Sequence, residues 1–126
     1  MNKVLVTVSA LALAGCATNP PGADTSEVEI VELSDTQFST VKSAVRQNMK
    51  DPDSAQFGRY VAFRTTDSEG EQTDYVCGYV NGKNSFGGYV GMTPYIALGA
   101  DGTFISAVGP NEFAMQACQR NYGVSI

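Results

Sequence analysis

Apolar and polar side chains recur along this chain with two distinct periods. Phe38, Val41, Val45 and Met49 fall at helical spacing, with Lys42, Arg46 and Lys50 on the other faces, which predicts one amphipathic helix. Ser34 and Gln37 mark its start as a capping box, and Leu33 and Phe38 flank them as a hydrophobic staple. The helix must end before Pro52, because a proline pushes the residue before it, Asp51, out of helical geometry. Asp51 is then placed to cap a single turn from Pro52 that delivers Phe57 to the core.

Beyond Phe57 the period falls to two. RYVAFRTT (59–66) and QTDYVCGYVNG (72–82) are rich in β-branched and aromatic residues, and the polar DSEGE between them reads as a hairpin connection. In the second strand Tyr75, Cys77 and Tyr79 share one face and Val76, Gly78 and Val80 the other. GYVGMTPYIAL (88–98) gives a third strand, edge or bulged at Pro94, and GADG is a turn before a fourth, TFISAV (103–108). A short helix over 112–121 gathers Phe113, Ala114, Ala117 and Cys118 on one side, with Gly123 as its stop. Together these predict an α+β domain over 34–126: an N-terminal helix, a four-stranded antiparallel sheet and a short C-terminal helix, the helices packed on one sheet face.

The first 33 residues read differently. Asn2 and Lys3 precede VLVTVSALALA, an apolar run too short to span a bilayer as a mature helix, and small residues follow. Residues 1–15 therefore read as a secretory signal peptide. The run ends in Leu13-Ala14-Gly15-Cys16, which resembles the lipobox of bacterial lipoproteins. That resemblance implies a diacylglycerol thioether and an N-acyl chain, palmitate among the candidates, on Cys16, and several acyl chains anchor stably where one does not. Ala17 stands where an aspartate would signal retention, so the pattern resembles that of outer-membrane lipoproteins with the domain in the periplasm. Residues 16–33 then form a lipidated tether, rich in small residues and proline near its start. Within it EVEIVEL (27–33) permits, but does not require, a short edge strand.

Charge and cysteine content narrow the chemistry. The chain holds 8 basic and 13 acidic residues for a net charge of −5, and cleavage of the leader removes Lys3 and no acid. Such a surface, with its cations scattered, excludes nucleic-acid binding, which needs clustered Lys and Arg. With Cys16 lipidated, Cys77 and Cys118 remain as a pair in an oxidising compartment, where a disulfide is expected. The chain has no histidine, so no cofactor or metal site is expected, and the usual general base is missing. Lys83 with Ser85 makes an unspecific nucleophile pair, and Asp51 with Asp53, or Glu71 with Asp74, read more simply as caps and hairpin acids than as a hydrolytic carboxylate pair. The chain is therefore expected not to be an enzyme.

The stretch CGYVNGKNSFGGYVGMTPY (77–95) stands out against this plain background. Its glycines mean tight bends or close approach, and NG at 81–82 is turn chemistry with φ > 0. The stretch reads either as a strand connection with its aromatics in the core or as a candidate binding rim of Asn81, Lys83, Asn84, Phe86, Tyr89 and Tyr95, since rigid aromatics beside amide groups are what recognition surfaces use. MKDPDSAQF (49–57) followed by VCGYVNGKNSFGGYVGMTPY (76–95) also resembles a recurrent pattern in small secreted or lipid-anchored proteobacterial proteins of unassigned function. That resemblance implies a shared domain and carries no catalytic residue.

These readings converge on a lipid-anchored, periplasm-facing binding or assembly module, without catalysis, whose partner is an envelope protein or peptidoglycan. Inhibition of a cell-wall hydrolase such as lysozyme is the alternative, and a carboxylate-dependent wall hydrolase ranks last.

Overall fold

In a computed structural model, residues 27–126 are described. The expected signal peptide, the lipidated Cys16 and the tether as far as residue 26 lie outside the described residues. Five antiparallel strands, β1 (Glu27–Val31), β2 (Gln56–Thr66), β3 (Gln72–Asn81), β4 (Thr93–Ala100) and β5 (Thr103–Val108), form one sheet in chain order. Helix α1 (Asp35–Arg46) follows β1, and α2 (Glu112–Tyr122) closes the chain. The fold is thus α+β with two helices, as expected, but with five strands rather than four. Residues 27–31 belong to the sheet, Glu27 pairing with Thr66 and Val31 with Ala62, so the domain begins before residue 34.

Local signals operate as the sequence specifies. Ser34 Oγ accepts from Gln37 N while Gln37 Oε1 accepts from Ser34 N, completing the capping box. Asn111 caps α2 by accepting from Ala114 N, and Gly123 ends it in the left-handed region at φ 64°. The turn between β4 and β5 is made by Asp101 and Gly102, at φ 53° and 75°. Helix α1 stops at Arg46, earlier than Pro52 requires. Asn48 N and Met49 N bond back three residues to Val45 O and Arg46 O, and the Asn48 amide donates to Ala107 O and Gly109 O across the fold. Pro52–Ser54 is the expected single turn, although the Asp51 side chain does not cap it.

The two helices lie on opposite faces of the sheet, which corrects the expectation of one shared face. Val41 and Val45 of α1 pack with Ala62, Val76, Val80, Tyr95, Ala97 and Phe104. Ala114 and Cys118 of α2 pack with Phe63, Cys77 and Ile96. The cause is visible in β3, where both alternating sets of side chains, Val76 and Val80 on one side and Tyr75 and Cys77 on the other, are apolar or lightly polar and each needs cover. Cys77 and Cys118 are joined as a disulfide with Cα atoms 6.3 Å apart, fastening α2 to the central strand. Phe113, expected on the packed side of α2, is 74% exposed.

β4 begins at Thr93 rather than Gly88, leaving 82–92 as a connection. Pro94 is neither on an edge strand nor at a bulge. It faces Tyr79 of β3, while the β5 ladder begins only at Ile96, so its missing N–H falls where β4 has no second neighbour.

Candidate functional site

The 82–92 connection is built by side-chain and backbone hydrogen bonds. Asn84 Oδ1 accepts from Phe86 N at 2.9 Å and Gly88 N at 3.2 Å, while Gly87 N donates to Asn84 O and Asn84 N to Gly88 O. The tight turn therefore lies at Asn84–Gly87, with Gly87 at φ 79°, and not at Asn81-Gly82 as NG suggested. Gly82 is buried at the base of the loop, where a Cβ would meet the Met49 methyl group, the end of a flexible side chain that can shift. At the base of the loop Lys83 bridges Tyr89 in antiparallel fashion, and Asn81 Oδ1 accepts from Gly91 N at 3.0 Å.

A second set of bonds fastens the loop to the Pro52–Ser54 turn. Lys83 N donates to Ser54 Oγ at 2.9 Å, Ser54 Oγ donates to Asp51 O at 2.8 Å, and the Tyr89 hydroxyl donates to Ser54 O at 3.3 Å. Ser54 thus joins the two segments of the pattern read in the sequence, 49–57 and 76–95. The Lys83 ammonium stands 5.5 Å from the Tyr89 ring centroid, a cation–π arrangement.

The six expected rim residues divide into three groups. Phe86 is 97% exposed at the loop tip, Tyr89 is half exposed and Lys83 lies beside it. Asn81 and Asn84 are staples whose side-chain oxygens hold the loop closed. Tyr95 does not belong to the rim. Its ring is fully buried, 5.9 Å from that of Phe57 edge to face, and its hydroxyl lies against Gly78 without a partner among the described residues. Burial pushes the Tyr95 phenol well above its ordinary pKa, so it stays neutral.

Val90 and Met92, 63% and 53% exposed, add apolar surface that the sequence did not reveal, because both fell within an expected strand. On the α2 face Arg59 and Tyr79 continue this surface, the guanidinium 5.3 Å from the ring centroid, around a shallow groove of about 350 Å³ that Met92 also lines. Arg59 and its neighbour Gly58 lie where the β2–β3 register shifts, between Phe57 and Tyr60.

The carboxylates weighed for catalysis lie apart from this surface. Asp74 is not a solvated hairpin acid: it is 2% exposed, accepts from Arg64 Nε at 2.6 Å and Nη2 at 3.2 Å, and from Gly102 N at 2.8 Å. The Arg64 hydrogen bonds hold its carboxyl below the usual carboxylate range, opposed by burial and aided by Gly102, while Asp74 in turn raises the Arg64 pKa. Among the described residues no three cysteine or carboxylate groups come together to hold a metal ion, and no helix is long and apolar enough to cross a membrane. Comparison with protein-family models, with curated proteins and with solved structures finds no match to this chain.

Proposed function

We propose that this chain is a non-catalytic binding or assembly module of the bacterial envelope, anchored by lipid on Cys16 in the outer membrane and facing the periplasm. The observation that carries the reading is the 82–92 loop, closed on itself and onto Ser54 while presenting Phe86, Val90 and Met92 to solvent. An exposed aromatic on a braced loop loses little conformational freedom on docking, which is how a small surface acquires useful affinity. The anchor is supported by the lipobox-like LAGC stretch. Its placement suits the loop: Glu27 enters the domain beside Thr66 and the β2–β3 hairpin, at the opposite end of the strands from 82–92. A tether leading from the membrane to Glu27 leaves the loop pointing outward. The partner is an envelope protein or a cell-wall glycan.

Site-specific photocrosslinking tests the reading in intact envelopes. A photoreactive residue at position 86 is expected to give a discrete adduct, and the same residue at Ile105, also exposed but remote in the fold, is expected to give none. Identical adduct patterns at both positions would refute it. Palmitate labelling lost in Cys16→Ser tests the anchor separately.

The protruding, pre-closed loop also fits insertion into the cleft of a wall hydrolase, which is the second reading. Purified protein added to a lysozyme assay at micromolar concentration decides it, since inhibition that Phe86→Ala abolishes is expected of an inhibitor and of no other module.

A further inference from the structure

A groove of about 290 Å³ opens beside the loop, between the end of α1 and the start of β4. Met49, Val80 and Val90 give it apolar walls, and Lys50 and Lys83 line it as cations. Neither lysine has an ion-pair partner among the described residues, and no carboxylate lines the groove. On a chain with 13 acids against 8 bases this is an unusual pairing. Five acids, Glu27, Asp67, Glu69, Glu71 and Asp101, lie on strand ends and turns at the far end of the sheet, while Asp51 and Asp53 lie at the Pro52–Ser54 turn near the groove without lining it.

The amides beside the lysines are already half committed. Asn84 spends its oxygen on Phe86 N and Gly88 N, leaving its Nδ2 as a donor, and Asn48 spends its Nδ2 on Ala107 O and Gly109 O, leaving its oxygen as an acceptor. The groove therefore offers two ammonium groups, one N–H donor, one acceptor and an apolar floor. We propose that it captures the C-terminal carboxylate of a peptide whose last side chain is small and apolar. The carboxylate lies between Lys50 and Lys83, a peptide N–H of the ligand reaches Asn48, and the side chain rests on Met49, Val80 and Val90. End-group capture of this kind is a recurrent mode of peptide recognition. The C-terminal, partially negative end of α1 beside the groove opposes any anion and opposes a phosphate dianion more than a carboxylate, and the groove contains no arginine fork. The volume, at the low end for ligand sites, suits about two residues.

The inference rests on the reading of the loop end as the binding end, and its test stands apart from the crosslinking at Phe86. Full-length protein labelled with ¹⁵N is titrated with N-acetyl-Ala-Ala and N-acetyl-Val-Val, each as free acid and as C-terminal amide. The acids are expected to shift the amides of Gly82, Lys83, Asn84 and Val90 with a dissociation constant of about 1 mM, reasonable for ligands this small. The amide-capped peptides are expected to bind at least about tenfold more weakly, as is the acid to Lys50→Gln/Lys83→Gln, with binding falling as salt is raised. Equal shifts by acid and amide, shifts confined to other residues, equal binding by inorganic phosphate, or no shift would each overturn the inference. Since the acid-against-amide comparison uses the unaltered chain, it does not depend on the variant folding. Loss of peptide binding with the Phe86 adduct retained removes this inference alone, and loss of both removes the reading beneath it.

Discussion

Replacing Asp74 by asparagine removes one charge and almost no volume from the most buried carboxylate described, so its effect follows from three bonds. The carboxylate receives Arg64 Nε at 2.6 Å, Arg64 Nη2 at 3.2 Å and Gly102 N at 2.8 Å, tying β2, β3 and the β4–β5 turn together. Exposed ion pairs contribute about 0.2–1 kcal/mol, whereas breaking a fully buried pair costs about 3–5 kcal/mol. Here the Asp74 side chain is 3% exposed and that of Arg64 31%, so the arginine left behind is partly rehydrated. Asparagine still offers one oxygen, to Gly102 or to Arg64. An intermediate loss of about 2 kcal/mol is expected at neutral pH, which for a domain of this size lowers Tm by roughly 8–16 °C. The pH dependence has a definite sign. Because the folded pKa of Asp74 is depressed, its contribution is complete above the unfolded value of about 4 and is lost as pH falls through the folded value. Urea unfolding of both proteins from pH 7 to pH 2, with the disulfide intact, should show a gap that closes in acid. A loss below about 0.5 kcal/mol at pH 7, or a gap unchanged at pH 2, would refute the assignment.

Three further outcomes follow from the core. Cys118→Ser opens a loop of 41 residues and should lower stability by about 4 kcal/mol in the chain-entropy model, read as a shift in the urea midpoint; a loss under about 1 kcal/mol would mean the unfolded chain is scarcely constrained by the bond. Tyr95→Phe removes a buried hydroxyl that lacks a partner among the described residues and should raise stability by about 1 kcal/mol, with destabilisation of that size counting against the burial described. Gly78→Ala should cost about 2 kcal/mol or more, because its Cβ would meet Tyr95 Oη at 2.5 Å and Tyr60 Cβ at 2.9 Å; Tyr95→Phe in the same chain should recover part of that loss, a coupling visible in a double-mutant cycle.

What was readable in the sequence was what neighbours in the chain decide. The Ser34–Gln37 box, the Asp101-Gly102 turn and the Gly123 stop each close within a single turn of chain, so composition at fixed offsets suffices. The Cys77–Cys118 bond was readable by parity. The side of the sheet taken by each helix was not, since alternation in β3 says that both faces need cover without saying by what. Tyr95 illustrates the same limit. It resembles a rim aromatic in a stretch of tyrosines and glycines, and its burial depends on Gly78 across the strand pair leaving room for the ring. The role of Ser54 in joining the two segments was not readable, because the bonds that do so reach 29 and 35 residues away. Asp74 was hidden for a similar reason: Arg64 is ten residues distant and Gly102 twenty-eight.

Cover on both faces has a consequence for where recognition can occur. With α1 on one face and α2 on the other, surface not already committed to folding lies mainly at the edges and ends of the sheet. The β5 edge is engaged by α1 and the residues just after it: Thr40 Oγ1 accepts from Phe104 N at 3.0 Å and Asn48 Nδ2 donates to Ala107 O at 2.7 Å. At the β1 edge Glu27 and Glu29 discourage strand addition, as charged side chains do on exposed edges. The end holding the β2–β3 hairpin and the β4–β5 turn concentrates acids and receives the chain from its N-terminus. If the chain is anchored as proposed, anionic headgroups would repel such an end within about a Debye length, roughly 8 Å at physiological salt. The opposite end combines a braced loop, exposed Phe86, Val90 and Met92, and a groove lined by two lysines without ion-pair partners among the described residues. Under the proposed lipid anchor, this separation of the acidic end from the apolar, cationic end would hold the 82–92 loop away from the bilayer.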